Sequence, residues 1–279
     1  MIKQYLTNVK IAKFPILVII LMCVLSRLPQ LCSPDLLLDP DECIITLMAK
    51  YWRSGEDHSL FFWGQNYGFS FVEILFILFF SFFLGFTTLS VKLAMLSMWT
   101  LGVVFLYKTL LEIFGKENKM YPLLITILFI SLPAWAVWSM KARGGYLTSY
   151  TAGFIVTYLL FYDNKSHHFL KWLLIGFLLQ IVFQSQLFWL IGLFPLMCFF
   201  LFGAVFWKKL LGITLGASLL GIPLFFYKKS VDIIYNAPII LPNFEDWKMY
   251  LNAFLAIFSI LYTDTIISHF ILNQTRRAV

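Results

Sequence analysis

The sequence has few charged residues, and acidic residues in particular are scarce. Charged residues make up 13% of the 279 positions, with 14 Asp and Glu in all, whereas hydrophobic residues make up 61% and the mean hydropathy is +0.84. A soluble domain averages about 25% charged and about 45–50% apolar residues. So little polar cover excludes a soluble globule of this length, because much of the apolar surface would face water. We therefore expect an integral membrane protein whose solvent is largely lipid.

Motifs that identify common soluble enzymes are also missing. The sequence has no P-loop, dinucleotide fingerprint, nucleophile elbow or HExxH motif. Its 4 Cys show no metal-ligand spacing, although Cys32 and Cys43 flank one loop and could either pair in an oxidising space or stay as free thiols. The net charge of +7 does not indicate nucleic-acid binding, because most Lys and Arg stand singly beside apolar runs, as topology signals do.

The apolar runs predict a polytopic helical bundle. A transmembrane helix needs about 20 apolar residues to cross about 30 Å of hydrocarbon. We predict eight such helices, at 12–29, 92–113, 120–140, 147–162, 169–187, 188–206, 209–227 and 250–272. A further apolar stretch, 69–86, is interpreted as a juxtamembrane helix that returns to the side it came from. This topology puts both termini on the cytoplasmic side, together with the basic segments that connect the spans there, as the positive-inside rule favours.

The predicted fold class is therefore an all-α integral membrane bundle of about eight spans, with residues 1–279 forming a single module. Its long first outer loop, 29–91, holds half of the 14 acidic residues: Asp35, Asp39, Asp41, Glu42, Glu56, Asp57 and Glu73. Asp39 and Pro40 could begin a capped interfacial helix, which would by itself explain the acids nearby. Carboxylates at a membrane surface also suit a group transfer, by taking a proton from an acceptor hydroxyl or by binding a metal.

A second outer segment, the turn 141–146, contains Lys141, Arg143 and Tyr146 around two glycines. Arg143 can bind a phosphate through two N–H groups, and the glycines allow a ligand to approach the backbone closely. The alternative is an interfacial Arg whose head group reaches the lipid headgroups, and Lys141 and Tyr146 are open to the same two interpretations.

The polar and aromatic stretch 63–68 contains Gln65 and Tyr67 and is followed by Glu73, which begins an apolar helix. An acid at membrane depth is a functional candidate, although an interfacial turn would have a similar composition to 63–68.

Short motifs follow one another in a recognisable order over about residues 10–230: Asp41-Glu42, Leu47-Met48-Ala49-Lys50, Ser54-Gly55, Gly64-Gln65-Asn66-Tyr67-Gly68, Glu73, Lys92-Leu93-Ala94-Met95, Pro133 and Ala142-Arg143-Gly144-Gly145-Tyr146. Their order and spacing resemble those of the bacterial family-39-like membrane glycosyltransferases of the GT-C superfamily. Protein O-mannosyltransferases and the aminoarabinose transferases that modify lipid A are related to that family.

The resemblance implies an enzyme that transfers a sugar from a polyprenyl-phosphate donor to a lipid, glycan or protein acceptor at the outer face of the bacterial cytoplasmic membrane. It places Asp41 at the reaction centre with Glu42 beside it, and Arg143 at the donor phosphate. By the same resemblance, further donor-pocket candidates are Lys141, Tyr146, Gln65, Tyr67 and Glu73. No cofactor is assigned; a divalent metal is left open, with Asp41 as its ligand.

The chain departs from the family pattern at residue 279, beyond which relatives usually continue with further helices and often an outer domain. A minimal enzyme, a subunit whose membrane partner supplies the missing part, and a truncated remnant all fit. The alternative functions are a non-catalytic relative that binds polyprenyl lipid and, less favoured, a transporter. A transporter would more often show broken helices near the bilayer midplane or paired repeats.

Overall fold

The computed structural model describes residues 15–56, 59–63, 65, 67–162, 168–202 and 205–230, all within the compact unit Met1–Ile233. The helices among these residues are α1 Pro15–Leu25, α2 Leu28–Leu31, α3 Pro40–Ser54, α4 Phe71–Leu84, α5 Thr88–Phe114, α6 Met120–Ile130, α7 Pro133–Trp138, α8 Tyr146–Phe161, α9 Phe169–Ser185, α10 Phe188–Leu201 and α11 Phe206–Ser230. The described part of the chain contains no strand, only an isolated bridge between Phe61 and Phe69. The all-helical prediction is confirmed for this part of the chain.

Among the described residues, two helices are long and apolar enough to cross a membrane, α5 and the segment Phe206–Lys228 of α11. The other apolar helices are shorter; α4, for example, has 14 residues and a length of about 21 Å, less than the hydrocarbon thickness. Helices do occupy the predicted spans from 12–29 to 209–227, but their crossing of a membrane stays a prediction. The predicted span 250–272 lies outside the described residues.

The predicted span 120–140 is divided in the structure, where α6 ends at Ile130 and α7 begins at Pro133. Leu132 between them has extended backbone angles, φ −60° and ψ 130°. The proline ring disfavours the helical conformation for the residue before it, so the chain turns there.

The centre of the fold is a row of packed helices in which α5 contacts α8, α8 contacts α9, and α9 contacts α11. Glycine allows the last pair to approach closely, since a Cβ on Gly176 or Gly216 would collide with the backbone of the facing helix. Helix α4 packs on α5, and α3 packs on α4.

Large apolar side chains face outward from the bundle, such as Phe82 and Phe199, each 77% exposed. Apolar faces of this kind suit contact with lipid rather than water.

Helix α3 begins as local sequence signals predict. The Asp39 side chain accepts a hydrogen bond from the Glu42 backbone N–H, the Glu42 carboxylate accepts one from Asp39, and Pro40 occupies the first turn. This reciprocal cap fixes where α3 begins, and therefore the directions in which the side chains of Asp39, Asp41 and Glu42 point.

The two cysteines that flank the first predicted outer loop, Cys32 and Cys43, are both free thiols.

Candidate functional site

Two ion pairs join the start of α3 to the turn before α8. The Lys141 Nζ lies 2.9 Å from the Asp39 Oδ2, and the Arg143 Nε lies 2.8 Å from the Asp41 Oδ2. The partners in each pair are 102 positions apart in sequence. The acidic loop and the basic turn, which sequence reasoning assigned to one face of the membrane, therefore meet directly.

The two acids differ in how firmly they are held. Asp39 is engaged by both the Glu42 N–H and Lys141. Although burial raises the pKa of Asp39, the hydrogen bond from Glu42 and the Lys141 ammonium together bring the pKa below its ordinary value. Asp41 is more accessible, with 34% of its side chain exposed, and its partner Arg143 is 41% exposed. Asp39 thus completes the helix cap, whereas Asp41 faces a space that a ligand can enter.

Glu42 lies behind this surface in a buried ion pair. The Lys92 Nζ is 2.6 Å from Oε1 and 2.8 Å from Oε2 of Glu42, and the Glu42 side chain is only 1% exposed. Lys92 lies in the first turns of α5, so the pair fixes α3 against α5. The carboxylate of Glu42 is therefore committed to the fold rather than open to a ligand.

Glu73 holds the turn that carries Arg143. Gly145, the N-cap residue of α8, has φ 87° and no side chain with which to cap the helix. The Glu73 carboxylate lies at this helix N-terminus instead, and its Oε1 accepts a hydrogen bond from the Gly145 N–H at 3.0 Å. Glu73 is completely buried in the first turn of α4, outside the two candidate spans. Burial raises the pKa of Glu73 to about 8, although the backbone N–H groups of Gly145 and Leu147 oppose this rise.

The loop 59–70 closes the other side of the site. The Phe62 N–H donates to the Gly68 carbonyl at 2.9 Å, and the Phe69 N–H donates to the Gln184 carbonyl at 3.1 Å, which attaches the loop to the end of α9. Gly68 has φ 73°, and a Cβ there would lie 2.8 Å from the Gly144 carbonyl oxygen. The contact between loop and turn therefore requires glycine at position 68.

Between these segments lies a pocket of about 150 Å³. Its lining is mostly polar: Asp41, Phe62, Gln65, Tyr67, Arg143, Gly144, Tyr146 and Gln186. The Arg143 guanidinium lies over the Trp138 ring, 5.3 Å from its centroid, and the Tyr146 ring packs against the same Trp138 at 5.4 Å. Trp138 thus orients both a cation and an aromatic face at the edge of the pocket.

Five of the eight residues predicted for the site line this pocket: Asp41, Gln65, Tyr67, Arg143 and Tyr146. The other three, Glu42, Lys141 and Glu73, contact residues that support it. Sequence reasoning missed Gln186, whose Nε2 donates to the Gly144 carbonyl at 3.2 Å. Gln186 is a polar residue at the end of an apolar run, which could have indicated a site residue. The same pattern is also typical of a glutamine that forms a hydrogen bond between helices.

Arg27 is a second residue that sequence reasoning missed. It is 5% exposed, its Nε donates to the Ser139 Oγ at 2.8 Å, and its terminal nitrogen donates to the Ile130 carbonyl at 3.2 Å. These bonds attach the end of α1 to both sides of the α6–α7 break, directly before the turn 141–146. An isolated Arg after an apolar run gives no indication of such a role.

The described residues that line the pocket do not offer the ligands of a divalent cation. Within the described residues no group of three or more His, Cys, Asp or Glu could hold a metal ion. Asp41 is the one carboxylate among the lining residues, and it is paired with Arg143. Ca²⁺ and Mg²⁺ are held by several oxygen ligands, so we derive no chemical step through a metal.

Comparison with protein-family models, with curated proteins and with solved structures finds no match to this chain. The resemblance drawn from short motifs therefore stays a prediction, and the function has to be argued from the geometry of the pocket.

Proposed function

We propose that the chain is a multi-pass membrane glycosyltransferase that transfers a sugar from a polyprenyl-phosphate donor to an acceptor hydroxyl. Its site of action in this proposal is the outer face of the bacterial cytoplasmic membrane. The observation that carries the proposal is the convergence of Asp41 and Arg143, 2.8 Å apart, in one polar pocket. A carboxylate can accept a proton, and a guanidinium can stabilise a phosphate that departs with negative charge.

The reaction we envisage is a single displacement with inversion at the anomeric carbon. The acceptor oxygen forms a bond to that carbon while its proton passes to the Asp41 carboxylate. The bond from the anomeric carbon to the phosphate oxygen breaks, and the electron pair leaves with the phosphate. Arg143 stabilises the charge that develops there. A phosphate leaving group needs no general acid, so one carboxylate suffices.

The remaining lining residues suit a sugar. Tyr67 and Tyr146 present exposed aromatic rings, 57% and 43% exposed, against which the apolar face of a sugar ring can pack. Gln65 and Gln186 add amide groups that can both donate and accept hydrogen bonds to sugar hydroxyls. Small-molecule sites combine apolar faces with a few polar groups in this way.

An apolar groove near the pocket supports a donor that carries a lipid. The groove has a volume of about 350 Å³ and is lined by α9, α10 and α11, with Phe183, Phe194 and Met197 among its residues. Phe183, in α9, precedes Gln186 of the polar pocket by three residues, and α9 ends at Ser185 between them. In our proposal the phosphate and sugar occupy the polar pocket while the polyprenyl chain follows the apolar groove.

The three predicted site residues that do not line the pocket have a different role in this proposal. Lys141 and Glu42 fix the start of α3, and Glu73 fixes the turn before α8. We therefore treat them as positioning residues that keep Asp41 and Arg143 opposite each other.

The experiment is a transfer assay with the full chain in proteoliposomes, incubated with a panel of radiolabelled polyprenyl-phosphate sugars and membrane-lipid acceptors, with and without chelator. We expect transfer from at least one donor. The variant Asp41→Asn should lower the rate at least about a hundredfold, the usual contribution of a general base. Asp35→Asn is the matched control, because it removes the same charge from an exposed acid in the same loop that makes no ion pair in the described structure.

Transfer that persists in Asp41→Asn at the rate of Asp35→Asn would refute the role of Asp41. Donor binding without transfer to any acceptor would instead favour the alternative, a non-catalytic protein that binds polyprenyl lipid.

A further inference from the structure

Asp41, the proposed base, and Arg143, the proposed phosphate-binding residue, are hydrogen-bonded to each other in the unliganded pocket. The Asp41 carboxylate accepts a hydrogen bond from the Arg143 Nε, so each charge is neutralised by the other. A paired carboxylate is a poorer base, and a paired guanidinium is a poorer anion site. Phosphate binding at the Arg143 Nε therefore requires that Asp41 give up this hydrogen bond.

The Asp41–Arg143 pair is also the one most easily exchanged of the three pairs at the site. Glu42–Lys92 is buried, and Asp39 is held additionally by the Glu42 N–H. In the described part of the chain, the Asp41 side chain has no hydrogen bond besides the one from Arg143. Both partners are more than a third exposed, and an ion pair with that exposure adds little free energy.

Arg143 is held independently of Asp41. Its guanidinium lies over Trp138, and the turn behind it is fixed by the bond between Gly145 and Glu73. If Asp41 leaves, the cation stays in place at the edge of the pocket. A phosphate oxygen can then occupy the position that the Asp41 carboxylate oxygen holds in the unliganded protein, since both are anionic acceptors for the same N–H group.

We infer that Asp41 is an internal competitor of the donor phosphate for Arg143, so that phosphate binding displaces Asp41 and releases it to act as the base. This inference rests on the proposed function for its purpose, but the competition itself is a property of binding. It predicts that removal of the Asp41 charge strengthens phosphate binding even though it abolishes transfer.

The test is a binding measurement on the full chain in nanodiscs of phosphatidylcholine, which carry no net charge. The probes are radiolabelled undecaprenyl phosphate and, in a separate arm, inorganic phosphate, which distinguishes a lipid phosphate from a free one. Asp41→Asn should bind the phosphate about twofold to fivefold more tightly than the control Asp35→Asn, the range expected from one exposed ion pair. The comparison between these variants cancels the effect of net charge, because both lose one acid.

Two further variants keep the test decisive if Asp41→Asn folds poorly. Asp41→Glu retains the competing carboxylate, so its affinity should stay within about twofold of wild type. Arg143→Ala should lose most of the affinity for phosphate. The affinity of Arg143→Lys should lie between those of Arg143→Ala and the wild type, because lysine keeps the charge but lacks the planar fork that stacks on Trp138.

Equal or weaker phosphate binding by Asp41→Asn than by Asp35→Asn would overturn the competition, whatever the transfer assay shows. Tighter binding in Asp41→Asn, combined with no sugar transfer by the wild type from any donor, would uphold the competition and refute the glycosyltransferase instead. The two proposals therefore fail by different results.

Discussion

Glu42 and Lys92 form a buried ion pair in which the Lys92 Nζ lies within hydrogen-bond distance of both carboxylate oxygens, at 2.6 and 2.8 Å. The pair connects α3 to α5, and the same carboxylate receives the Asp39 backbone N–H. One side chain thus closes the helix cap and neutralises a lysine at the start of an apolar helix. The position of Asp41, one residue before Glu42, depends on both contacts.

We predict that Glu42→Gln destabilises the protein by about 3–5 kcal/mol, because it leaves the Lys92 charge buried without a counter-charge. The double variant Glu42→Gln/Lys92→Met should recover most of that loss, since neither charge is then buried. Thermal or denaturant unfolding in detergent measures both. The double variant should transfer sugar more slowly than the wild type but faster than Asp41→Asn, because the glutamine can still accept the Asp39 N–H at the helix cap. A double variant that folds but loses transfer as fully as Asp41→Asn would contradict the assignment of Glu42 as a positioning residue.

Gly68 provides a test of the contact between the loop and the turn. Gly68→Ala strains a left-handed backbone and pushes a methyl group toward the Gly144 carbonyl, which lines the pocket. Gly55→Ala is a matched control, because its φ of 75° imposes the same strain while no atom lies within 4 Å of the new Cβ. Both variants should lose about 1 kcal/mol or more of stability.

Only Gly68→Ala should also weaken phosphate binding, by about tenfold, because the displaced turn moves Arg143 away from the pocket. The measurement is the same nanodisc titration with undecaprenyl phosphate. Equal affinity in the two alanine variants would show that the turn does not depend on the loop.

Local signals in the sequence predicted much of the fold. The apolar runs located the helices, and Asp39 followed by Pro40 predicted the start of α3, because a helix cap involves residues that are close along the chain. Pro133 also carried the signal for the break between α6 and α7, although the apolar run around it suggested one continuous span. Charge and topology reasoning predicted that Asp41 and Arg143 share a face, and the structure brings them into contact.

The distant pairings could not be predicted in the same way. Lys92 is 50 positions from Glu42, and Gln186 is 42 positions from Gly144. Any of several lysines or glutamines would satisfy the same acceptor, so residue types alone do not select the partner. The sequence also could not show which acids line the pocket and which support it, because that depends on burial. Asp41 is partly exposed in the pocket, whereas Glu42 and Glu73 are buried behind it.

The buried carboxyl of Glu73 predicts a pH dependence of stability. Its pKa in the folded protein is about 8, above the ordinary value of 4.5, because burial disfavours the charged form. Between these two values the folded protein binds a proton that the unfolded chain has lost, so stability falls as the pH rises through this window. The melting temperature of the wild type should therefore decrease from pH 5 to pH 8 more steeply than that of Glu73→Gln. The glutamine carbonyl can still accept the hydrogen bond from Gly145 but carries no charge at any pH.

Asp35→Asn is the control, because Asp35 is an exposed acid and its replacement removes one charge without affecting a buried group. Its melting curve should follow the wild type at every pH, which separates the effect of Glu73 from that of net charge. If the melting temperature of Glu73→Gln also changes with pH in parallel with that of the wild type between pH 5 and pH 8, the Glu73 carboxyl is charged in the folded protein across this range. The Gly145 N–H then donates to a charged carboxylate. At pH 8 and above, Glu73→Gln should be the more stable of the two proteins, since only the wild type then buries a negative charge at the start of α8.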